Sequence, residues 1–146
     1  MFVERLITMN TYNPFRLDAP SMLLIEEWNQ TAETGGAVTA GFTTKNGGES
    51  EPPFHSLNTG LHVQDHEQHV INNRKQIADI LKTDLHDWVF ADQTHEDRIQ
   101  KVTDGDRASG AFRYDTALKA TDGLYTDRPN PVSYTHLRAH ETGRNL

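Results

Sequence analysis

The sequence contains no cysteine. That excludes a disulfide framework, a thiolate metal site and a cysteine nucleophile within this chain. No apolar run approaches the ~18 residues of a membrane span. The chain also lacks a surplus of positive charge: Lys and Arg number 14 against 21 Asp and Glu, a formal charge of −7. A nucleic-acid or anionic-membrane binder needs a basic stripe to displace counterions, so neither partner is expected. Large apolar residues are scarce. Leu, Ile, Val and Phe make up 31 of 146 residues, close to the ~20% at which disorder becomes the default. The N-terminal residues Met1–Pro20 show no basic start followed by an apolar stretch, so no signal peptide is expected. The resulting expectation is a soluble cytoplasmic protein of one domain by length.

The apolar residues that remain fall into short blocks. Strands are expected at Met22–Trp28, Ala37–Thr44, Trp88–Ala91, Arg98–Val102 and Gly123–Thr126. Val70, Ile71, Ile77, Ala78 and Leu81 recur at helical spacing, which predicts a helix from about His66 to Lys82. Asp65, with Gln68 three residues on, reads as its N-cap. Residues 1–20 read as a lead-in, Lys45–Gly60 as a loop, and Thr103–Thr121 as a long polar loop of the functional or disordered kind. Strands around one strong helix predict an α/β fold, a mixed sheet with flanking helices. The element count is low and several strands lack partners, as though part of the domain were missing.

Eight histidines stand at positions 55, 62, 66, 69, 86, 95, 136 and 140. His62, His66 and His69 have helical spacing, but they fall on the polar side of a surface helix, so a solvated face is the expected reading. His136 and His140 are four apart without the glutamate that such a pair needs in a zinc-protease motif. His95 follows the apolar Trp88–Phe90 block, where a strand end delivers a polar side chain into a loop. On spacing alone a surface or satisfied histidine is the expected reading. Ser56 and Asn58 alternate in Phe54–Gly60 and would point one way in an extended segment, able to hold a sugar or phosphate, but on the residues alone a plain turn is the expected reading. Asp122 precedes Gly123 and fits a turn. Arg74 reads as a solvated helix residue that could reach an anion.

In order along the chain stand Ala40-Gly41-Phe42-Thr43-Thr44 with Gly47-Gly48, then Phe54 to Val63, Asn73-Arg74, Trp88-Val89, Gln93-Thr94-His95, and Thr121-Asp122-Gly123-Leu124. This ordered set resembles the YfiH family, described both as polyphenol oxidoreductase laccase and as purine nucleoside phosphorylase. The resemblance covers roughly residues 28–130. It implies an α/β fold and a zinc ion held by His, Cys and His, the first being His95. It also implies phosphorolysis of adenosine, inosine and methylthioadenosine, and deamination of adenosine. Purine nucleoside and phosphate are the implied partners. Asp122 is then expected near the site, with Ser56, Asn58, Arg74 and Gln93 as candidates to place substrate.

The chain departs from that pattern. The cysteine ligand is missing, and from Pro131 to Leu146 the sequence is polar and without a family counterpart. The expectation is an N-terminal portion of the domain, residues 1–130, joined to an unrelated tail, residues 131–146. Such a chain supplies one zinc ligand of three and is expected to be inactive by itself. His136 and His140 could in principle join His95, but the tail has no apolar anchor to place them. Two other classes stay open: a copper-dependent phenol oxidase, which histidine richness allows, and a non-catalytic α/β module that self-associates through exposed sheet edges.

Overall fold

The computed structural model describes residues 15–25 and 38–128 together with the backbone of 132–134. In chain order the elements are β1 (Phe15–Ala19), β2 (Met22–Ile25), β3 (Gly41–Thr43), α1 (Glu67–Ile80), β4 (Trp88–Phe90), β5 (Ile99–Lys101), β6 (Gly123–Tyr125) and β7 (Val132–Tyr134). The fold is mixed α/β. β1, β2 and β3 make an antiparallel sheet in that order, while β4–β7 and β5–β6 are parallel pairs. Trp88 is in register with Val132, and Ile99 with Gly123.

β2, β3, β4, β5 and β6 lie inside the expected strands, each shorter than predicted. Residues 26–37, which include the ends of two of those strands, are outside the described residues. β1 falls in the segment expected to be a lead-in. Four of its five residues are exposed, and Arg16 pairs with Asp18 at 3.1 Å. It therefore carries no buried-face alternation, and its strand character comes from hydrogen bonding to β2. β7 lies in the segment expected to be an unrelated tail.

The helix is where its periodicity predicts, but its start is capped differently. His66 is the N-cap, with extended backbone (φ −63°, ψ 115°) and no side-chain cap bond. Asp65 accepts the His66 N–H at 2.7 Å and the Asn58 amide at 2.9 Å. Gln68 donates instead to Asn72 at 2.9 Å. The expected capping box does not form, because Asp65 closes the preceding loop onto Asn58.

One cluster of Met22, Leu24, Leu57, Ile77, Ala78, Leu85, Trp88, Phe90 and Ala111 forms the core between α1, β2 and β4. Trp88 is 1% exposed, and its indole N–H donates to Thr83 Oγ1 at 3.0 Å, so the largest core residue keeps its polar atom bonded. The buried face of α1 also carries two polar residues, Asn73 and Arg74.

Asn73 ties the 48–58 loop to the helix. Its Oδ1 accepts the Glu49 N–H at 2.8 Å; its amide donates to Ser50 Oγ (3.0 Å) and to the carbonyls of Ser56 (3.2 Å) and Asn58 (2.8 Å). A Cβ on Gly48 would meet the Ser56 carbonyl oxygen at 2.3 Å and Asn73 Oδ1 at 2.6 Å, so only glycine lets the loop cross here.

The long 103–121 segment is a packed connection. The Phe90 N–H donates to Ser109 O at 2.8 Å, the Leu118 N–H to Phe90 O at 3.1 Å, and the Asp92 N–H to Leu118 O at 2.8 Å. Thr103 and Asp106 form a reciprocal cap at its start. Ala111 and Ala117 are buried. Polar composition gave no sign of this, because small residues and backbone bonds do the packing.

Candidate functional site

Where β4 ends, three stretches of chain converge around a pocket of about 180 Å³. Thr59–His62 form one wall, Ala91–Gln93 a second, and Gly110, Tyr114 and Ala117 a third, with Arg74 and Phe90 also lining it. This volume lies below the ~300–1,000 Å³ of pockets that enclose a whole drug-sized ligand. It suits one ring system, with the rest of a ligand lying outside.

Arg74 reaches this pocket from the core side. It is 4% exposed rather than solvated as expected. Its Nε donates to Thr59 O at 2.7 Å, and its Nη1 to the carbonyls of Gly110 (2.5 Å) and Ala111 (2.8 Å). The guanidinium carbon sits 3.7 Å from the centre of the Phe90 ring. Arg74 thus fastens two pocket walls to each other across 15 to 37 residues of sequence. Its forked, planar donors make that possible.

His95 and Asp122 meet beside the pocket. Asp122, just ahead of β6, accepts the N–H of His95 at 2.6 Å, the N–H of Glu96 at 3.0 Å and the Thr94 hydroxyl at 3.4 Å. Gln93 lines the pocket and donates to the Asp122 carbonyl at 3.4 Å, which links the two features. His95 is exposed and held at φ +61°, in the left-handed region. A non-glycine residue held there stores about 1 kcal/mol or more of backbone strain, a common mark of functional loops.

Ser56 and Asn58 serve the loop. Ser56 Oγ accepts the Gly48 N–H at 3.1 Å and donates to Lys45 O at 3.4 Å. Asn58 Oδ1 accepts the Gly60 N–H at 3.0 Å, and its amide bonds Asp65. Neither is a lining residue; the adjoining Thr59–His62 is. The His66 and His69 rings lie 4.7 Å apart and are tilted by 31°, while His62 turns toward Tyr114 at 6.1 Å.

The residues that sequence reasoning missed are Asp92 and Tyr114. The Tyr114 hydroxyl donates a short hydrogen bond to Asp92. That bond first, then partial burial, pushes the Tyr114 phenol above its usual value. Lys119 lies 4.8 Å over the Tyr114 ring and 3.7 Å from Asp92. Tyr114 sits in a segment without periodicity, 22 residues from Asp92. No sequence signal joins them.

The zinc set implied by the resemblance is not assembled. The sequence holds no cysteine, and among the described residues no three of His, Cys, Asp and Glu converge as a metal-holding group. His136 and His140 lie outside the described residues. Among the described residues, no helix is long and apolar enough to cross a membrane.

The clamp is expected to respond to pH. Partial desolvation pushes the Asp122 carboxyl up, but the N–H groups of Glu96 and His95 and the contacts with Thr94 outweigh it and hold it below the ordinary 3.8. A depressed carboxyl contributes its stability above the ordinary value and loses it as pH falls through the folded-state value. The His95 and Glu96 amide chemical shifts are expected to move together with a midpoint below pH 3.8. Asp122→Asn, which turns an acceptor into a donor, should abolish that transition. A midpoint above the ordinary value would show that the clamp does not stabilise the charged form.

The sequence profile of the family described as multi-copper polyphenol oxidoreductase laccase matches residues 39–137. The chain is 61% identical over 122 residues to the purine nucleoside phosphorylase YlmD of Bacillus subtilis, covering 84% of this chain and 44% of that protein. It is 54% identical over 92 residues to YlmD of Geobacillus stearothermophilus, covering 63% and 33%. Among solved structures, the Bacillus licheniformis hypothetical protein YfiH superposes with a TM-score of 0.76 at 91% identity, covering 82% of this chain and 42% of that one. YlmD from Geobacillus stearothermophilus superposes with a TM-score of 0.71 at 44% identity, covering 80% and 42%. The chain spans less than half the length of these relatives.

Proposed function

This chain belongs to the multi-copper polyphenol oxidoreductase laccase family, the YfiH family, and from that premise we propose that it carries the N-terminal part of a purine nucleoside phosphorylase. The substrates in this reading are adenosine, inosine or methylthioadenosine with phosphate, and adenosine deamination is a second activity. The protein works in the cytoplasm. The observation that carries the reading is the Gln93-Thr94-His95 turn, clamped by Asp122 at the rim of a ring-sized pocket. The naming of the relatives as purine nucleoside phosphorylases supports it.

In phosphorolysis a phosphate oxygen bonds to the anomeric carbon while the carbon–nitrogen bond breaks and its electron pair leaves with the purine. Catalysis of such a displacement rests on positioning and on holding the departing base. This chain contributes a pocket that takes a ring out of water and a loop whose direction Asp122 fixes. Gln93 joins the two. In this reading Asp122 positions His95, and Arg74 shapes the pocket through its carbonyl partners. In this reading His95 would hold zinc together with a cysteine and a second histidine, and the metal would supply an activated water for deamination; without the cysteine the chain alone should be inactive.

A chimera tests this. Residues 38–128 would replace the matching segment of the Bacillus subtilis relative. The chimera should release hypoxanthine from inosine only when phosphate is present, and the isolated chain should release none. His95→Ala in the chimera should lower kcat/KM by at least roughly a hundredfold, as expected for a residue that holds a metal. Oxygen-dependent oxidation of a phenol without nucleoside cleavage would instead favour a copper enzyme, the reading that the family's description suggests. Strong cleavage by the isolated chain would overturn the claim that it is inactive.

A further inference from the structure

The mouth of the pocket holds two aromatic rings from distant parts of the chain. His62 follows the 48–60 loop and Tyr114 stands in the 103–121 segment; both line the pocket. Their centres are 6.1 Å apart and their planes are tilted by 38°, so they open like a wedge. Tyr114 is fixed by its hydrogen bond to Asp92, and Lys119 covers part of its ring. His62 lies on Gly60, where an added Cβ would meet His62 Cε1 at 2.9 Å.

We propose that His62 and Tyr114 form an aromatic jaw that stacks a planar heteroaromatic ring at the pocket mouth. The ring's identity as a purine rests on the phosphorylase reading. A ring stacked between two others needs about 7 Å between them, two carbon contacts of ~3.5 Å. The present 6.1 Å requires an opening of about 1 Å, a shift that an exposed side chain makes by a small rotation. Tyr114, hydrogen-bonded to Asp92, is one jaw and His62 the other. The pocket behind them has room for one ring system, and Gln93 offers an amide at its edge toward the Asp122 clamp. Stacking selects a flat π-face and tolerates its substituents, so the jaw would accept several purines alike.

The test is saturation-transfer NMR of the full chain with inosine and adenine, with ribose as the non-aromatic control. The base protons should be saturated more strongly than the ribose protons, and free ribose should give no signal. Tyr114→Leu should weaken binding roughly ten- to hundredfold, the range of base–aromatic stacking, while Tyr114→Phe keeps the ring and stays within about threefold. Gly60→Ala should shift His62 and weaken binding by an intermediate factor. Tyr114 is 40% exposed, so Tyr114→Leu and Tyr114→Phe should lower the melting temperature slightly and by similar amounts, through loss of the Asp92 hydrogen bond. Equal affinities of wild type and Tyr114→Leu, or no binding of either purine, would overturn the jaw.

The chimera supplies an independent readout if the chain self-associates. A rise in KM for inosine with unchanged kcat on Tyr114→Leu supports the jaw. An unchanged KM in a chimera that cleaves inosine overturns the jaw and leaves the phosphorylase reading standing. A chimera that cleaves nothing, while the chain binds purines through Tyr114, overturns that reading and leaves the jaw.

Discussion

Arg74→Leu is expected to destabilise this chain by about 3–5 kcal/mol, the cost of removing one partner from a buried charge-assisted network. A domain has only about 5–15 kcal/mol in all, so the variant should be largely unfolded in mild urea. The cause is the place of Arg74 in the structure. It sits on the buried face of α1 with three carbonyls as acceptors, Thr59, Gly110 and Ala111, and with Phe90 under its guanidinium. Leucine fills some of the volume, but it takes the donor away from all three carbonyls at once. Arg74→Lys keeps the charge and loses the fork, so it should recover only part of the loss. Urea denaturation followed by tryptophan fluorescence reads both variants, since Trp88 is in the core. A loss below about 1 kcal/mol, the size of an ordinary surface effect, would show that Arg74 does not fasten the pocket walls.

Asn73→Ala should cost about 3 kcal/mol, from several hydrogen bonds of about 1 kcal/mol each and the penalty of leaving buried groups without them. Its side chain is 0% exposed and bonds Glu49, Ser50, Ser56 and Asn58. Aspartate at this position keeps the acceptor for Glu49 but turns away the Ser56 and Asn58 carbonyls, so Asn73→Asp should be no better than alanine. The two variants differ in what fails. Arg74→Leu should separate the 59–62 and 110–111 walls and remove purine binding. Asn73→Ala should loosen the 48–58 loop first, seen as faster hydrogen exchange at the Glu49 and Ser56 amides. If the Glu49 amide stays protected in Asn73→Ala, the hub role of Asn73 is wrong.

These two residues show where reading the sequence succeeds and where it stops. Val70, Ile77 and Ala78 announced the helix by their spacing, and they are its buried side chains. Asn73 and Arg74 lie on the same face, but the charge of Arg74 made it look solvated, and nothing in the spacing marked Asn73 as buried. A polar residue on a buried face is recognised only once its partners are known, and these partners lie 15 to 37 residues away. The Asp65 cap failed for a similar reason: a local rule that favours capping lost to a bond with Asn58 that closes a loop. The strand blocks were legible because β-branched and aromatic clusters keep their preference in most settings. β1 was not, because its exposed residues carry no pattern.

The site divides in the same way. The Gln93-Thr94-His95 turn and Asp122 could be picked out as separate short motifs, and the structure brings them together within hydrogen-bonding distance. Tyr114 and Asp92 had no motif to mark them, and His62, though inside the Phe54 to Val63 motif, read as part of a solvated face.

By itself, then, the sequence determined the charge balance, the absence of thiol chemistry, the α/β class, the helix and the family's ordered motifs. All of these follow from residue type and from spacing along the chain. Only the tertiary structure decided which polar residues are buried, which loop is packed, and which side chains frame the pocket. Those outcomes depend on hydrogen bonds between segments far apart in sequence, such as Arg74 to Ala111 and Asp122 to His95, and no local pattern encodes the partner of such a bond.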